Sequence, residues 1–260
     1  MILINMKRLI LNYLIIAAIT VSAAFTSCKK GDNDNGKVQL LESITHENGF
    51  FTKFEYDAQN RLSKISDYDK DGAARRTETF TYSGTDLTKI VEEYHNISYI
   101  KTETFTKSGN TIISKGTNNN DDYEYSYTLT LNSYGYLIKE ESADEHGFFS
   151  QDYIYDNAGN MTKRSSYEIT GGEIRQGDAD YKYDKKIAPF RYCKTPQWYF
   201  SYRFRYRIGI YNNPTEIIYG EDSKKSVCTY NYNSDDYPAN VLIKFGEIEE
   251  YEGTFTYISK

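Results

Sequence analysis

The sequence predicts an all-β protein, an antiparallel up-and-down meander of β-hairpin repeats that is curled or flattened into a barrel-like soluble sheet. The 260 residues include 27 Tyr and 13 Phe, residue types that favour strands. Polar and aromatic residues alternate in segments such as Thr79-Phe80-Thr81-Tyr82, and this period of two is the strand pattern. Tyr-centred segments also recur about every 25 residues, which indicates a repeat architecture. After the N-terminus no stretch has the period of an amphipathic helix, so no helix is predicted there.

The N-terminal segment predicts export and lipidation. Lys7 and Arg8 precede an apolar run over residues 9–24, and small residues then lead to Cys28, as in a signal peptide. Phe25-Thr26-Ser27-Cys28 resembles the lipobox of bacterial lipoproteins. That resemblance implies removal of residues 1–27 and acylation of Cys28. The alternative is a short N-terminal anchor helix with an incidental cysteine.

Residues 28–37 are small and polar, and they predict a flexible tether after the lipidated cysteine. Their Asp content resembles the surface-export tethers of Bacteroidota lipoproteins. The resemblance implies an outer-membrane location, at the cell surface or on the periplasmic face. Residues 38–260 then form a single β-repeat domain. Residues 1–27 hold two of the 31 basic residues and none of the 37 acidic ones, so the remainder carries a net charge of −8, which argues against a nucleic-acid partner.

Within this domain the repeat is clearest in two segments of matching sequence, 56–64 and 155–163. The first five anchors, at positions 56, 82, 106, 131 and 155, are 24 to 26 residues apart. Four residues after the anchor come residues that tolerate a positive φ, as a tight hairpin turn requires: Asn60, Asn110, Gly135 and Gly159. Each unit is therefore predicted to be a β-hairpin, and successive hairpins a meander.

The repeat Tyr-Asp-x-x-Asn/Gly-Arg/Asn-Leu/Met-Ser/Thr-Lys resembles the YD repeat of Rhs-type proteins. It also resembles a group of Bacteroidota lipoproteins of unknown function that contain such repeats. The degenerate copies together cover most of residues 38–260. Rhs-type chains use their sheets as shells around a cargo, and this chain is too short for that role. The resemblance therefore implies a fold rather than a function.

About sixteen strands cannot stay a flat open sheet, so the sheet should curl, split or close. A lipid-embedded porin would need an outer apolar band of about 25 Å. The faces opposite the aromatic residues carry Thr, Ser, Glu and Lys instead, as in Thr102-Glu103-Thr104. We therefore expect a soluble sheet that is attached to the membrane through its lipid.

One segment matches a calcium-binding loop. Asp67, Asp69, Asp71 and Glu78, with Gly72 between them, satisfy the pattern Asp-x-Asp-x-Asp-Gly-x5-Glu. Alternating carboxylates and a distal bidentate Glu supply the oxygen ligands that calcium prefers. The flanking segments are predicted strands, whereas an EF-hand has helices there. The alternative is a solvated Asp-Gly connection between hairpins. The sequence therefore predicts no cofactor, and calcium at this loop is the alternative.

A second candidate site combines arginines with the single tryptophan. If residues 201–208 form a strand, Arg203, Arg205 and Arg207 lie on one face and could bind an anionic group, or could instead pair with acids of neighbouring strands. Trp198 lies just upstream, beside a Pro-containing loop. Its ring could stack on a sugar, or it could fill one end of the core.

Cys193 and Cys228 remain once Cys28 is acylated, and an exported protein permits a disulfide between them. Two independent buried thiols are the alternative. His46, His95 and His146 are far apart and have no metal-ligand spacing. The sequence contains no nucleophile elbow, P-loop or dinucleotide fingerprint.

The function predicted from these observations is a lipid-anchored, non-enzymatic binding or scaffolding module at the outer membrane. A glycan or an envelope protein is the expected partner. One alternative is an envelope glycan hydrolase whose acid pair is not visible in the sequence. Another is a glycan- or lipid-binding subunit of an uptake system.

Overall fold

Sixteen antiparallel strands close into a barrel in the computed structural model, which describes residues 38–120, 124–144, 147–203, 209–220, 224–246 and 248–260. The strands are β1 (Gln39–His46), β2 (Phe51–Tyr56), β3 (Leu62–Tyr68), β4 (Ala74–Ser83), β5 (Asp86–Tyr94), β6 (Tyr99–Ser108), β7 (Thr111–Asn118), β8 (Glu124–Leu131), β9 (Leu137–Asp144), β10 (Gly147–Tyr155), β11 (Met161–Thr170), β12 (Glu173–Tyr183), β13 (Pro214–Tyr219), β14 (Lys224–Tyr232), β15 (Pro238–Phe245) and β16 (Ile248–Ser259).

Each strand pairs with its neighbours in sequence, and the first and last strands close the ring. Ile44 of β1 lies opposite Phe255 of β16, and the two strands run antiparallel. The predicted all-β antiparallel meander is therefore confirmed, and the structure shows that its sheet closes into a barrel. Val38–Lys260 forms one compact unit. The regular 25-residue period stays a prediction.

The recurring turn depends on an Asp or Asn side chain directly after the anchor. Oδ1 of Asp57 accepts hydrogen bonds from the backbone N–H groups of Gln59 and Arg61, both at 2.9 Å. Asn60 then adopts a φ of 62°, and Gly135 and Gly159 adopt 81° and 90° in the equivalent turns. The positive φ predicted for these three residues is confirmed.

The same prediction is wrong for Asn110. The residue with positive φ in that hairpin is Gly109, at 58°, because a tighter connection joins Ser108 to its partner Thr111. The residue after that anchor is Lys107, whose side chain cannot accept the two backbone hydrogen bonds that Asp57 accepts.

The anchor tyrosines have a common structural role at one end of the barrel, which we call the tyrosine rim. Each hydroxyl donates to a backbone carbonyl near the start of an adjacent strand, over 2.7–2.9 Å. The donor and acceptor pairs are Tyr56 and Leu41, Tyr82 and Leu62, Tyr155 and Leu137, Tyr183 and Met161, and Tyr257 and Pro238. These hydrogen bonds explain why the repeats carry Tyr where Phe would supply only the ring.

The long connection between β12 and β13 enters the barrel and fills the half of its interior nearest the tyrosine rim. It contains a helix, α1 (Gln197–Arg203), although the sequence predicted no helix and a strand from residue 201. Trp198 packs against Phe105 at 5.0 Å between ring centroids, and Tyr199 packs against Phe80 at 5.3 Å. We call the described residues of this connection, 184–203 and 209–213, the plug.

The reason for the missed helix is its environment. The barrel wall surrounds α1, so the five consecutive residues 198–202 are all buried, and the helix lacks the one-sided pattern that identifies an amphipathic helix. In the described part of the chain, no helix has the length and apolar character needed to cross a membrane.

Candidate functional site

The inward face of several strands changes from apolar to acidic between the tyrosine rim and the opposite end, which we call the open rim. On β4 the inward residues are Phe80 and then Glu78, and on β6 they are Phe105 and then Glu103. Alternation along a strand places residues i and i+2 on the same face, so each acid shares the interior with its aromatic neighbour. Glu103 was expected on the outer face with Thr102 and Thr104, and that expectation is wrong, because its side chain is 1% exposed.

One arginine holds three of the interior carboxylates on β3, β4 and β5. Arg76 lies 2.8 Å from Oδ2 of Asp67 through Nη2, and its Nη1 lies 3.3 Å from Glu78 and 2.9 Å from Glu92. Burial raises the pKa of Glu78, despite the opposing charges of Arg76 and Arg203. Burial also acts to raise the pKa of Glu92, but the hydrogen bond from Tyr94 and the charges of Arg203 and Arg76 outweigh it and lower that pKa. Two neighbouring carboxyls are thus shifted in opposite directions.

A second ion pair joins the plug to the barrel wall. Nη2 of Arg203, at the end of α1, lies 2.7 Å from Oε2 of Glu103. The other oxygen of that carboxylate accepts hydrogen bonds from the hydroxyls of Tyr202, at 2.6 Å, and Ser114. The charge of Glu103 raises the pKa of Arg203 further, although burial opposes this. The plug is therefore fixed by charge at its inner end as well as by aromatic packing.

Beyond Arg203 the interior opens into a cavity of about 330 Å³ at the open rim, which we call the mouth pocket. Its lining combines tyrosine rings with amide, hydroxyl and charged groups: Tyr99, Lys101, Thr117, Asn118, Tyr125, Tyr127, Glu140, Tyr202 and Arg203. Nζ of Lys101 lies 4.7 Å from the centre of the Tyr125 ring. Burial and the nearby charge of Arg203 lower the pKa of Lys101. Oε2 of Glu140 accepts a hydrogen bond from Tyr153 at 2.8 Å.

Only Trp198 and Arg203 of the predicted arginine and tryptophan site lie within the described residues. Arg203 lies on a helix rather than a strand; it lines the polar mouth pocket and pairs with an internal acid. Arg205 and Arg207 fall outside the described residues. Trp198 is 4% exposed and packs in the core, which agrees with the interpretation of this residue as a core plug rather than a sugar platform.

Three of the four carboxylates of the predicted calcium loop, those of Asp67, Asp69 and Glu78, are held by other partners. Asp67 and Glu78 both pair with Arg76, whose cation lies between them. Oδ1 of Asp69 accepts the backbone N–H groups of Asp71 and Ala73, at 3.0 and 2.9 Å, as in the other turns. Among the residues that the structure describes, no group of three or more His, Cys, Asp and Glu side chains is arranged to hold a metal ion. This geometry favours the Asp-Gly connection.

The predicted disulfide is absent from the described part of the chain. Cys193 and Cys228 are both buried thiols that are not bonded to each other. Cys193 lies in the plug beside Thr195, at 3.5 Å from its hydroxyl, whereas Cys228 belongs to the wall strand β14. Cys28, the predicted lipidation site, and His146 lie outside the described residues. His95 is exposed and contacts the Thr77 hydroxyl at 2.9 Å.

Sequence reasoning did not identify the mouth pocket. One signal was available, because Thr77-Glu78-Thr79-Phe80 and Thr102-Glu103-Thr104-Phe105 have the same residues in the same order. In each segment the acid lies two residues before an inward aromatic residue and must share its face. The entry of the plug, which brings Arg203 to these acids, has no such local signal.

Comparison with known proteins finds similar solved structures but no match to a family or a curated protein. A porin-like protein from Bacteroides vulgatus ATCC 8482 is 13% identical, with 85% of this chain and 99% of that chain covered and a TM-score of 0.42. A porin-like protein from Bacteroides uniformis ATCC 8492 is also 13% identical, with coverage of 86% and 97% and a TM-score of 0.47. No property of either protein is carried over to this chain.

Proposed function

We propose that this protein is a lipid-anchored, non-enzymatic binding protein of the outer membrane that takes a small polar ligand into the mouth pocket. One observation carries the proposal: the interior is filled by the plug near the tyrosine rim and forms a polar cavity at the open rim. A barrel of this kind is a cup rather than a channel. Its strands act as a rigid scaffold for the residues of the cavity.

The outer wall supports attachment through a lipid rather than insertion into a bilayer. Many outward-facing side chains are exposed Thr, Lys, Asp and Asn residues, such as Thr79, Thr104, Lys89, Asp180 and Asn231, and exposed apolar side chains such as Ile154 lie among them. A charged side chain on a lipid-facing wall destabilises a barrel by about 2–4 kcal/mol at the bilayer centre. The lipobox and YD-repeat resemblances agree with an anchor at Cys28.

The position of the first described residue also supports this arrangement. Val38 donates its N–H to the carbonyl of Lys260 over 3.0 Å, at the tyrosine rim. The chain therefore enters the barrel at the plugged end. The mouth pocket lies at the opposite end of the barrel from Val38.

Binding is better supported than hydrolysis. Glu78 and Glu92 have the opposed pKa shifts of an acid and base pair. Both are at least nine-tenths buried and held by Arg76, and neither lines the mouth pocket. A hydrolase would need such a pair in contact with its substrate.

The lining indicates the kind of ligand. Cationic Lys101 and Arg203 lie opposite Glu140, and Asn118, Thr117 and the tyrosines add neutral donors and acceptors. A cavity of about 330 Å³ is at the small end of the usual range for ligand sites, roughly 300–1,000 Å³. A mono- or disaccharide has the size and the hydroxyl groups to satisfy this mixed lining.

The test is a calorimetric titration of the protein with each member of a panel of mono- and disaccharides. Lys101→Met removes one of the two cationic side chains that line the pocket. For any saccharide that the wild type binds, this change should weaken binding at least tenfold. Lys89→Met, on the outward face of β5, is the matched control and should leave binding unchanged. Loss of binding in both variants, or in neither, would contradict the assignment of the mouth pocket.

A further inference from the structure

The barrel wall is open at one place beside the mouth pocket. Pairing between β8 and β9 runs only from Leu131 and Leu137 to Thr128 and Glu141. Beyond that point β8 continues for residues 124–127, paired with β7, and β9 continues for residues 142–144, paired with β10. β8 thus stays paired with β7 and β9 with β10, while β8 and β9 separate from each other towards the open rim.

A cavity of about 500 Å³ lies where the strands separate, and we call it the wall gap. Both separated strands line it, with Ser126 and Tyr127 on one side and Ser142 and Ala143 on the other. Outward-facing Thr104 extends the cavity onto the outer wall. The wall gap shares Thr117, Tyr125 and Tyr127 with the mouth pocket, so the two cavities adjoin.

The backbone direction along β8 follows from one hydrogen bond. Leu131 donates its N–H to the carbonyl of Asn110, on the β7 side. In an antiparallel sheet successive residues direct their backbone groups to alternate sides. Thr130 and Thr128 therefore direct theirs towards β9, and Ser126 and Glu124 direct theirs into the wall gap.

The same alternation applies on the opposite side. Because Glu141 pairs with Thr128 across the β8–β9 ladder, Ala143, two residues further along β9, directs its backbone groups into the wall gap. The wall gap thus presents donors and acceptors at strand spacing on both of its long sides.

We infer that the wall gap binds an extended peptide segment of another polypeptide by β-strand addition. This inference goes beyond the proposed small-ligand function and concerns a separate, adjoining site. An added strand would complete the interrupted sheet through its main chain. At about 3.3 Å per residue, sides of three to four residues suit a segment of about the same length.

The lining sets the preferred sequence of the segment. Inward side chains would lie beside Tyr127 and Ser142, and outward ones beside Ser126 and Ala143. These neighbours are small, hydroxyl-bearing or polar, so the segment should be rich in Ser, Thr, Gly and Asn and free of bulky apolar residues. A glycan chain lacks the regular alternation of N–H and C=O groups that strand edges match.

The experiment closes the wall gap with a disulfide. If the ladder is extended in register from Thr128 and Glu141, Ser126 lies opposite Ala143. The double variant Ser126→Cys/Ala143→Cys in the full chain should therefore join the two strands when oxidised. Thr130→Cys/Lys139→Cys is the matched control, because those residues are already opposite each other in the paired part of the ladder.

The probes are an array of synthetic octapeptides that alternate Ser, Thr, Gly and Asn with other residues, and a glycan array. We expect the wild type and the oxidised control to bind some of the octapeptides on the array. The oxidised Ser126→Cys/Ala143→Cys protein should bind them at least tenfold more weakly, and reduction should restore binding. Ser126→Pro removes the gap-facing N–H while keeping the backbone hydrogen bonds to β7, and it should weaken binding whether or not the disulfide forms. Ser126→Ala is its control, because it shares only the loss of the hydroxyl bond to the Ser114 carbonyl, and it should weaken binding less.

Two results would overturn the inference. One is that the wild type binds no octapeptide, whether or not it binds glycans. The other is unchanged octapeptide binding in both the oxidised gap variant and Ser126→Pro. The oxidised Ser126→Cys/Ala143→Cys protein should bind saccharides as the wild type does, because neither residue lines the mouth pocket. Failure of the wall gap is therefore distinguishable from failure of the mouth pocket.

Discussion

Arg203, the last residue of the only helix in the described part of the chain, lies 2.7 Å from Oε2 of Glu103 on the inner wall of β6. Glu103 is 1% exposed, so its charge is compensated inside the protein rather than by water. This pair marks the boundary between the aromatic half of the interior and the mouth pocket. It also joins the inner end of the plug to the barrel wall.

Removal of the Arg203 charge should destabilise the protein strongly. Arg203→Gln leaves Glu103 buried without its cation, and the loss of one partner of a buried pair costs about 3–5 kcal/mol. Urea unfolding would measure this cost. The control is Lys182→Gln, which breaks an ion pair with Glu216 whose lysine is 62% exposed, and should cost at most about 1 kcal/mol. Equal costs in the two variants would show that the plug is not held by Arg203.

The rim tyrosines should contribute through their hydroxyl groups. Tyr82→Phe removes the donor to the Leu62 carbonyl, and leaving a buried acceptor unsatisfied costs about 1–3 kcal/mol. Tyr134→Phe, at a residue that is 80% exposed, should leave the free energy of unfolding unchanged. A Tyr82→Phe protein as stable as the wild type would mean that the ring alone supports the repeat.

The same tyrosines predict a loss of stability in alkali. Burial raises the pKa of Tyr56, Tyr82, Tyr155, Tyr183 and Tyr257 well above the ordinary value of 10.0. Above pH 10 the unfolded chain releases these protons while the folded chain retains them, so the free energy of unfolding falls as the pH rises. Absorbance at 295 nm should show exposed tyrosines ionising near pH 10, and the buried ones only together with unfolding. Complete ionisation of a protein that is still folded would contradict this burial.

Calcium should not stabilise the protein. Asp67 and Glu78 are already paired with Arg76, and Asp69 is used in its own turn. We therefore expect the melting temperature to be the same in millimolar calcium and in chelator. Asp69→Ala should lower it equally in both conditions, through loss of the turn hydrogen bonds. A rise with calcium that Asp69→Ala abolishes would restore the calcium site.

Replacement by alanine should destabilise the protein more at Gly159 than at Gly84, because the space around the two glycines differs. Gly159 and Gly84 both have positive φ, so an alanine is strained at either position. A Cβ at Gly159 would lie 2.6 Å from the Tyr211 ring, whereas nothing lies within 4 Å of a Cβ at Gly84. Thermal unfolding should therefore show a larger loss for Gly159→Ala than for Gly84→Ala. Equal losses would indicate that the backbone conformation alone sets the cost.

Local patterns in the sequence predicted the wall but not its contents. Alternation in segments such as Thr79-Phe80-Thr81-Tyr82 identified strands, and positive-φ residues such as Gly159 identified turns, because both depend on neighbouring residues alone. The plug depends on contacts distant in sequence, such as Arg203 with Glu103, which are 100 residues apart. For the same reason a strand pattern continued through residues 201–203, where the surrounding barrel stabilises a helix.

We propose that the lipid alone holds this polar-walled barrel at the membrane. The most direct measurement is the fractionation of cells that produce the full chain with Cys28→Ala, followed by a high-salt wash of the membranes. The account predicts that this variant appears in the soluble fraction, folded and without detergent, while the wild type stays with the outer membrane. A Cys28→Ala protein that remains in the washed membrane and needs detergent for release would contradict it.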